Sequence, residues 1–300
     1  MAADGVADIY EKPGVPFSDT ADIYSRATIG AAVPQLETDA VVNYPIGGAT
    51  APILFTPVDL FTAVPGVGGG YWDFTDPLTL FSDTARTTPA TLGGSVRGVT
   101  DLSGIGRHLS TATTTILRRA GMIEFPAAAG FVGLATATGQ TGSATGWTAC
   151  VAVKAGTPLV AGQWMDSDLS GAQCGQNLYA DSNCQCIPMA PAGVPVASGY
   201  STQSIANGQK YVQTGICTLT SSVARVNKAF GAQTTRASSV PANNANGRIG
   251  LGSGWIGTGT QNQRSCNNAS SMICALMINR VLTPTEIDNL ENYFSAKAGL

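Results

Sequence analysis

The residues of this chain whose types suit chemistry are few and widely spaced. Asp166 and Asp168 lie in Gly162-Gln-Trp-Met-Asp-Ser-Asp168, a pair of carboxylates beside Trp164. Two carboxylates sharing a strand face can serve as nucleophile or base and as general acid in sugar hydrolysis. A solvated loop is the plainer reading, or a calcium contact in which Asp181 supplies a further oxygen. His108 is the sole histidine, so a Ser-His-Asp triad or a cysteine nucleophile would have to use it. No Gly-x-Ser-x-Gly elbow exposes a serine. The glycine run Gly66-Val-Gly-Gly-Gly70 neither follows a clear strand nor opens a helix, so it carries no phosphate or dinucleotide signature. No enzyme activity, cofactor or metal is expected.

Seven cysteines form the other reactive set, all between Cys150 and Cys274. No Cys-x-x-Cys pair occurs and His108 is distant, so the spacing of zinc ligands is missing. Two readings stay open. The thiols are small buried hydrophobes, or the protein folds reduced and oxidises after release. In the second case Cys174, Cys184 and Cys186, on a Gly/Asn/Gln/Ser-rich stretch, are the disulfide candidates.

These residues must be held by some framework, and composition restricts it. Hydrophobic residues make up 44% of the chain but charged residues only 12%, about half the usual share. Gly, Thr, Ser, Asn and Gln fill the gap, which suits antiparallel strands with many turns and polar interfaces. Residues 1–70 hold eight acidic and two basic side chains, residues 71–300 eleven and fourteen. The basic residues do not cluster beyond Arg118-Arg119, so a nucleic-acid partner is not expected. No apolar run approaches the ~18 residues of a membrane span. The N-terminus lacks the charged and apolar regions of a secretory signal.

The first 65 residues differ from the rest. Pro13, Pro16, Pro34, Pro45, Pro52, Pro57 and Pro65 interrupt any long helix or central strand. Ala7-Asp-Ile-Tyr10 recurs as Ala21-Asp-Ile-Tyr24. The segment reads as an extended arm that orders against a partner through Ile9, Tyr10, Ile23, Tyr24, Tyr44 and Phe55, because disordered tails lack this many large apolar residues. Residues 66–70 read as a glycine-rich hinge, and residues 71–300 as a single domain.

Within 71–300, short β-prone runs alternate with Gly, Asn and Ser clusters: 121–125, 147–153, 211–217, 224–227, 248–251 and 272–278. The pattern predicts a mainly β chain, an antiparallel β-sandwich or jelly roll. Trp72, Trp147 and Trp255 are expected in its core. The end departs from the pattern. Thr283 as N-cap, Pro284, Glu286 at the third helical position and Gly299 at the stop frame a helix, with Ile287, Leu290, Tyr293 and Phe294 on one face.

Three stretches resemble a known family. Tyr71-Trp-Asp-Phe-Thr-Asp-Pro-Leu-Thr-Leu-Phe-Ser-Asp83, then Asp101-Leu-Ser-Gly-Ile-Gly-Arg-His108, then Ile278 to Phe294 are similar to the opening, turn and closing helix of laminin-G-like, concanavalin A-like jelly-roll domains of bacteriophage virion proteins. Polysaccharide-cutting enzymes of that fold carry Glu-x-Asp-x-x-Glu on one strand, and this chain lacks it. The resemblance implies a virion structural protein: a capsid decoration, collar or tail projection, anchored by its arm to other virion proteins. It implies a homo-oligomer, with trimers the analogy. The alternative is a carbohydrate-binding adhesin for host or environmental glycans, with Trp164, Tyr179 and Tyr200 as aromatic platforms.

Overall fold

The computed structural model of the chain divides into two units, Met1–Leu54 and Phe55–Leu300. The described residues all fall in the second, and omit 113–114, 127–132, 137–145, 158–161, 169–175, 181–182, 189–198, 219, 232, 236–247, 253, 257–259 and 263–269. Ile9, Tyr10, Ile23, Tyr24 and Tyr44 therefore lie outside the described residues, as do Cys174 and Asp181.

A short helix α1 (Asp59–Thr62) precedes β1 (Gly69–Asp73), a 3-10 turn at Pro77–Thr79, and β2 (Leu80–Phe81). Short strands follow: β3 (Gly98–Val99), β4 (Leu109–Ser110), β5 (Leu117–Arg119), β6 (Met122–Glu124) and β7 (Leu134–Thr136). Next come β8 (Gly146–Lys154), β9 (Gly162–Asp168), β10 (Gln176–Ala180), β11 (Asn183–Pro188), β12 (Gly199–Ser204), β13 (Lys210–Thr218) and β14 (Ser221–Val226). The chain closes through β15 (Ala229–Phe230), β16 (Thr234–Thr235), β17 (Arg248–Leu251), β18 (Gly254–Ile256), β19 (Thr260–Asn262), β20 (Ser271–Ile278) and helix α2 (Pro284–Ala298).

The protein is mainly β, an antiparallel sandwich with a C-terminal helix. One sheet has the order β15-β14-β13-β8-β20-β6-β5, with β1 also on β20 and β16 also on β14. The facing sheet runs β12-β11-β10-β9-β17-β7-β4-β3-β2. Between them lies a core that includes Trp72, Phe74, Trp147, Trp164, Tyr211, Met272 and Met277. A second apolar layer, with Tyr71, Cys150, Ile273, Cys274 and Leu276, covers the other face of the first sheet, beneath Ile287, Leu290 and Phe294 of α2. Both faces of that sheet are thus buried. This is why β8 and β20 read as unbroken apolar runs rather than alternating ones.

Helix α2 forms as its sequence signals demand. Thr283 and Glu286 make the reciprocal capping box, Pro284 sits in the first turn, and Gly299 adopts the left-handed conformation at φ 69. Polar contacts fix the helix on the sheet. Arg225 of β14 pairs with buried Glu291 at 2.9 Å, Arg280 with Glu286 at 2.7 Å and Lys297 with Asp73 at 3.1 Å. The Lys210 ammonium also donates to the Ala298 carbonyl at 2.7 Å, neutralising the helix C-terminus.

The packing begins earlier than the sequence suggests. Leu60 and Phe61 of α1 are buried in the layer beside α2, and Phe55 packs half-buried against the same layer. Phe55, expected to reach a partner, contacts its own domain. The expected hinge also ends inside a strand: Gly69 and Gly70 pair with Ile278 and Met277. Close approach explains the glycines, since a Cβ on Gly69 would lie 2.0 Å from the Met277 carbonyl oxygen.

Candidate functional site

The Asp101–His108 turn is held by backbone amides. Asp101 Oδ1 accepts from the N–H groups of Tyr71 at 3.0 Å and Ser103 at 2.9 Å, and Oδ2 from the Arg107 N–H at 2.7 Å. The Ser103 hydroxyl donates to the same Oδ2 at 2.7 Å. In return the Asp101 N–H donates to His108 Nδ1 at 3.1 Å. That bond needs a neutral ring, and burial together with the Arg86 guanidinium holds the His108 pKa below its usual range. His108 is thereby committed to shaping the turn that carries β4 away from β3.

The cysteines divide similarly. Cys150, Cys217 and Cys274 are buried, and Cys150 and Cys274 are free thiols. Burial pushes the Cys150 and Cys274 thiols well above the usual range, which leaves them poor nucleophiles. Cys184 and Cys186 are alternate residues of β11. Among the described residues no group of three His, Cys, Asp or Glu gathers as metal ligands.

Trp164 is not an exposed platform. It is 2% exposed, lies in the core between the sheets, and its indole N–H donates to the Tyr211 hydroxyl at 2.8 Å. A β-bulge produces this. Met165 pairs with Leu178, but the next pair is Gln163 with Tyr179, so Trp164 is the extra residue. Two consecutive side chains, Trp164 and Met165, consequently both enter the core.

The same bulge fixes the register of the neighbouring strands. Tyr179 pairs with Gln163 on β9 and with Gln185 on β11, and Gln185 pairs in turn with Tyr200 on β12. Gln163, Tyr179, Gln185 and Tyr200 are thus aligned by register across four adjacent strands. Sequence reasoning singled out Tyr179 and Tyr200 but had no signal for the two glutamines between and beside them. Pairing registers are long-range properties. The acidic pair lies next along β9, Asp166 opposite Gly250 and Asp168 opposite Arg248. The Asp168–Arg248 pairing gives one of these acids an oppositely charged cross-strand neighbour.

No protein family matches the sequence, and a comparison with curated proteins finds no relative. Solved structures do match in shape. The binding domain of botulinum neurotoxin serotype G is 11% identical, with a TM-score of 0.50 over 69% of this chain and 51% of its own. A Trypanosoma rangeli sialidase in complex with sialic acid is 13% identical, with a TM-score of 0.49 over 86% of this chain and 36% of its own. A pentraxin from Limulus polyphemus is 13% identical, with a TM-score of 0.39 over 47% of this chain and 67% of its own. This chain therefore spans about a third of the sialidase and half of the toxin domain. At such identities the likeness is one of fold: a jelly-roll-like β-sandwich.

Proposed function

We propose that this domain binds carbohydrate along the outer face of its second sheet. The observation that carries the reading is the row Gln163-Tyr179-Gln185-Tyr200, in which two aromatic residues alternate with two amides across four adjacent strands. Sugars are recognised by this combination, aromatic rings against C–H faces and planar amides against hydroxyls. Two of the solved structures of similar shape come from a toxin's binding domain and from a sialidase holding sialic acid. Their ligands bear on this chain only as the class to test. A glycan array probed with the full chain should show retention on a restricted set of polysaccharides. Tyr179→Ala or Tyr200→Ala should each weaken it about tenfold, a loss of about 1.4 kcal/mol. Silence across the array, or variants that bind like the wild type, overturns the reading.

A second reading concerns where the domain is displayed. Phe55, Val58 and Val67 pack on the layer beneath α2, together with Leu60 and Phe61. The segment that follows the proline-rich region is therefore fastened to the sandwich, as an anchored projection requires. The resemblance to phage virion domains supports reading that projection as part of a virion, a homo-oligomer attached through residues 1–65. Gold-labelled antibody against the domain, viewed on purified particles by electron microscopy, should decorate head, collar or tail. Protein found only free in the lysate overturns this placement. A larger species on non-reducing gels would add interchain disulfides through the cysteines of the 174–186 stretch.

A further inference from the structure

The Asp101–His108 turn closes through one bond that acid must break. The Asp101 N–H donates to His108 Nδ1 at 3.1 Å, and an imidazole nitrogen accepts only while it carries no proton. A protonated imidazole donates from both nitrogens, so no ring flip restores the acceptor. In acid the Asp101 N–H and a new Nδ1–H face each other, two donors with no acceptor between them.

The turn holds more than itself. The Tyr71 N–H of β1 donates to Asp101 Oδ1 at 3.0 Å, and the Leu102 N–H donates back to the Tyr71 carbonyl at 2.8 Å. The Trp72 indole N–H reaches the Arg107 carbonyl at 3.0 Å. These three bonds clasp the turn to β1. Leu102 and Ile105, partly buried, pack from the same turn onto the apolar layer that lies beneath α2. A turn that opens at His108 loosens the edge of the first sheet and uncovers two apolar side chains.

Two charges act on the ring from the elements around it. The Arg86 guanidinium, on the loop between β2 and β3, opposes a second positive charge, and the Asp101 carboxylate of the turn favours one. Asp83 of that loop is bonded to the Thr87 and Thr88 N–H groups. Burial and Arg86 outweigh Asp101, so the folded ring takes its proton at a lower pH than the ordinary 6.5. With the folded value lowered, the contribution of the clasp is complete above pH 6.5 and is lost as pH falls through the folded value.

We propose that His108 is an acid-operated latch: its protonation breaks the bond from Asp101, opens the 101–108 turn, releases it from β1 and uncovers Leu102 and Ile105. The inference is independent of what the second sheet binds.

The test is NMR of the full chain from about pH 7.5 to about pH 4, following the His108 ring nitrogens and amide hydrogen exchange together. His108 is the sole histidine, so its ring signals stand alone. As the ring takes its proton, protection of the Tyr71, Asp101 and Leu102 amides should fall about tenfold after correction for the intrinsic pH dependence of exchange. The β8–β13 pairing of Val151 with Gln213 should keep its own protection. His108→Asn offers an amide oxygen in place of Nδ1 and stays uncharged, so it should hold the turn closed throughout. His108→Lys has no acceptor and should be open already at about pH 7.5. A ring that protonates while the turn amides stay protected, or one that takes no proton by about pH 4, overturns the proposal. An equal loss of protection in folded His108→Asn also overturns it and assigns the opening to a carboxylate. Should His108→Asn fail to fold by circular dichroism, the wild type decides alone. Its loss of protection must then follow the ring's own titration, and a loss displaced from that curve overturns the latch.

Discussion

The Trp164 indole N–H and the Tyr211 hydroxyl meet at 2.8 Å in the interior, a hydrogen bond that ties β9 of one sheet to β13 of the other. Their rings stand edge to face at 6.4 Å. Tyr211→Phe keeps the ring packing and leaves a buried indole N–H without this acceptor, a cost of about 1–3 kcal/mol. Trp164→Ala empties the site and should cost about 3–5 kcal/mol. Urea unfolding followed by fluorescence measures both. Tyr211→Phe should leave the proposed carbohydrate binding unchanged, because Trp164 belongs to the core and not to the proposed binding face.

Arg225 and Glu291 pair at 2.9 Å with both side chains buried. Burial nevertheless holds the Glu291 pKa above its usual range, since desolvation outweighs the attraction of the arginine. A raised folded pKa means that the favourable contribution is present below the ordinary glutamate range and lost as pH rises through the folded value. Arg225→Met strands Glu291 and should destabilise by about 3–5 kcal/mol. Arg225→Met with Glu291→Gln should recover most of that loss, and a double-mutant cycle in denaturant gives the coupling.

Glu286 behaves in the opposite sense. Its hydrogen bonds to the Arg280 guanidinium and to Thr283 hold its pKa down to about 2, from 4.5. The stabilisation from this group is complete above pH 4.5 and is lost as pH falls toward 2. Glu286→Gln should flatten the stability curve across that window and leave it parallel to the wild type above it. Thr283→Ala removes the cap itself and should cost about 1 kcal/mol at neutral pH.

The helix and its cap were legible because their signals are local: Thr283, Pro284, Glu286 and Gly299 lie within one short stretch. The sandwich was legible for a similar reason, with strands at 147–153, 211–217, 248–251 and 272–278 each marked by β-prone residues between turns. Trp164 was misread because a bulge, set by its pairing partners, turns it inward. Gln163 and Gln185 were missed because only register places them beside Tyr179 and Tyr200. Glu291 had no signal in the sequence, and the structure buries it against Arg225 of β14.

The glycine run from 66 to 70 separates two roles that composition alone merges. Gly69 has φ +126, and an added Cβ would lie 2.0 Å from the Met277 carbonyl oxygen, so both conformation and space demand glycine. Gly66 has φ +75 with nothing within 4 Å of an added Cβ, so only the conformation is at stake. Gly69→Ala should therefore cost roughly 2–6 kcal/mol by adding backbone strain to overpacking. Gly66→Ala should cost only about 1–2 kcal/mol. Amide hydrogen exchange localises the difference. Gly69→Ala should deprotect the β1–β20 pairing around Trp72 and Ala275, whereas Gly66→Ala should leave those amides as slow as in the wild type. Equal protection in the two variants would mean that the run acts as a flexible joint and that β1 tolerates a side chain at its start.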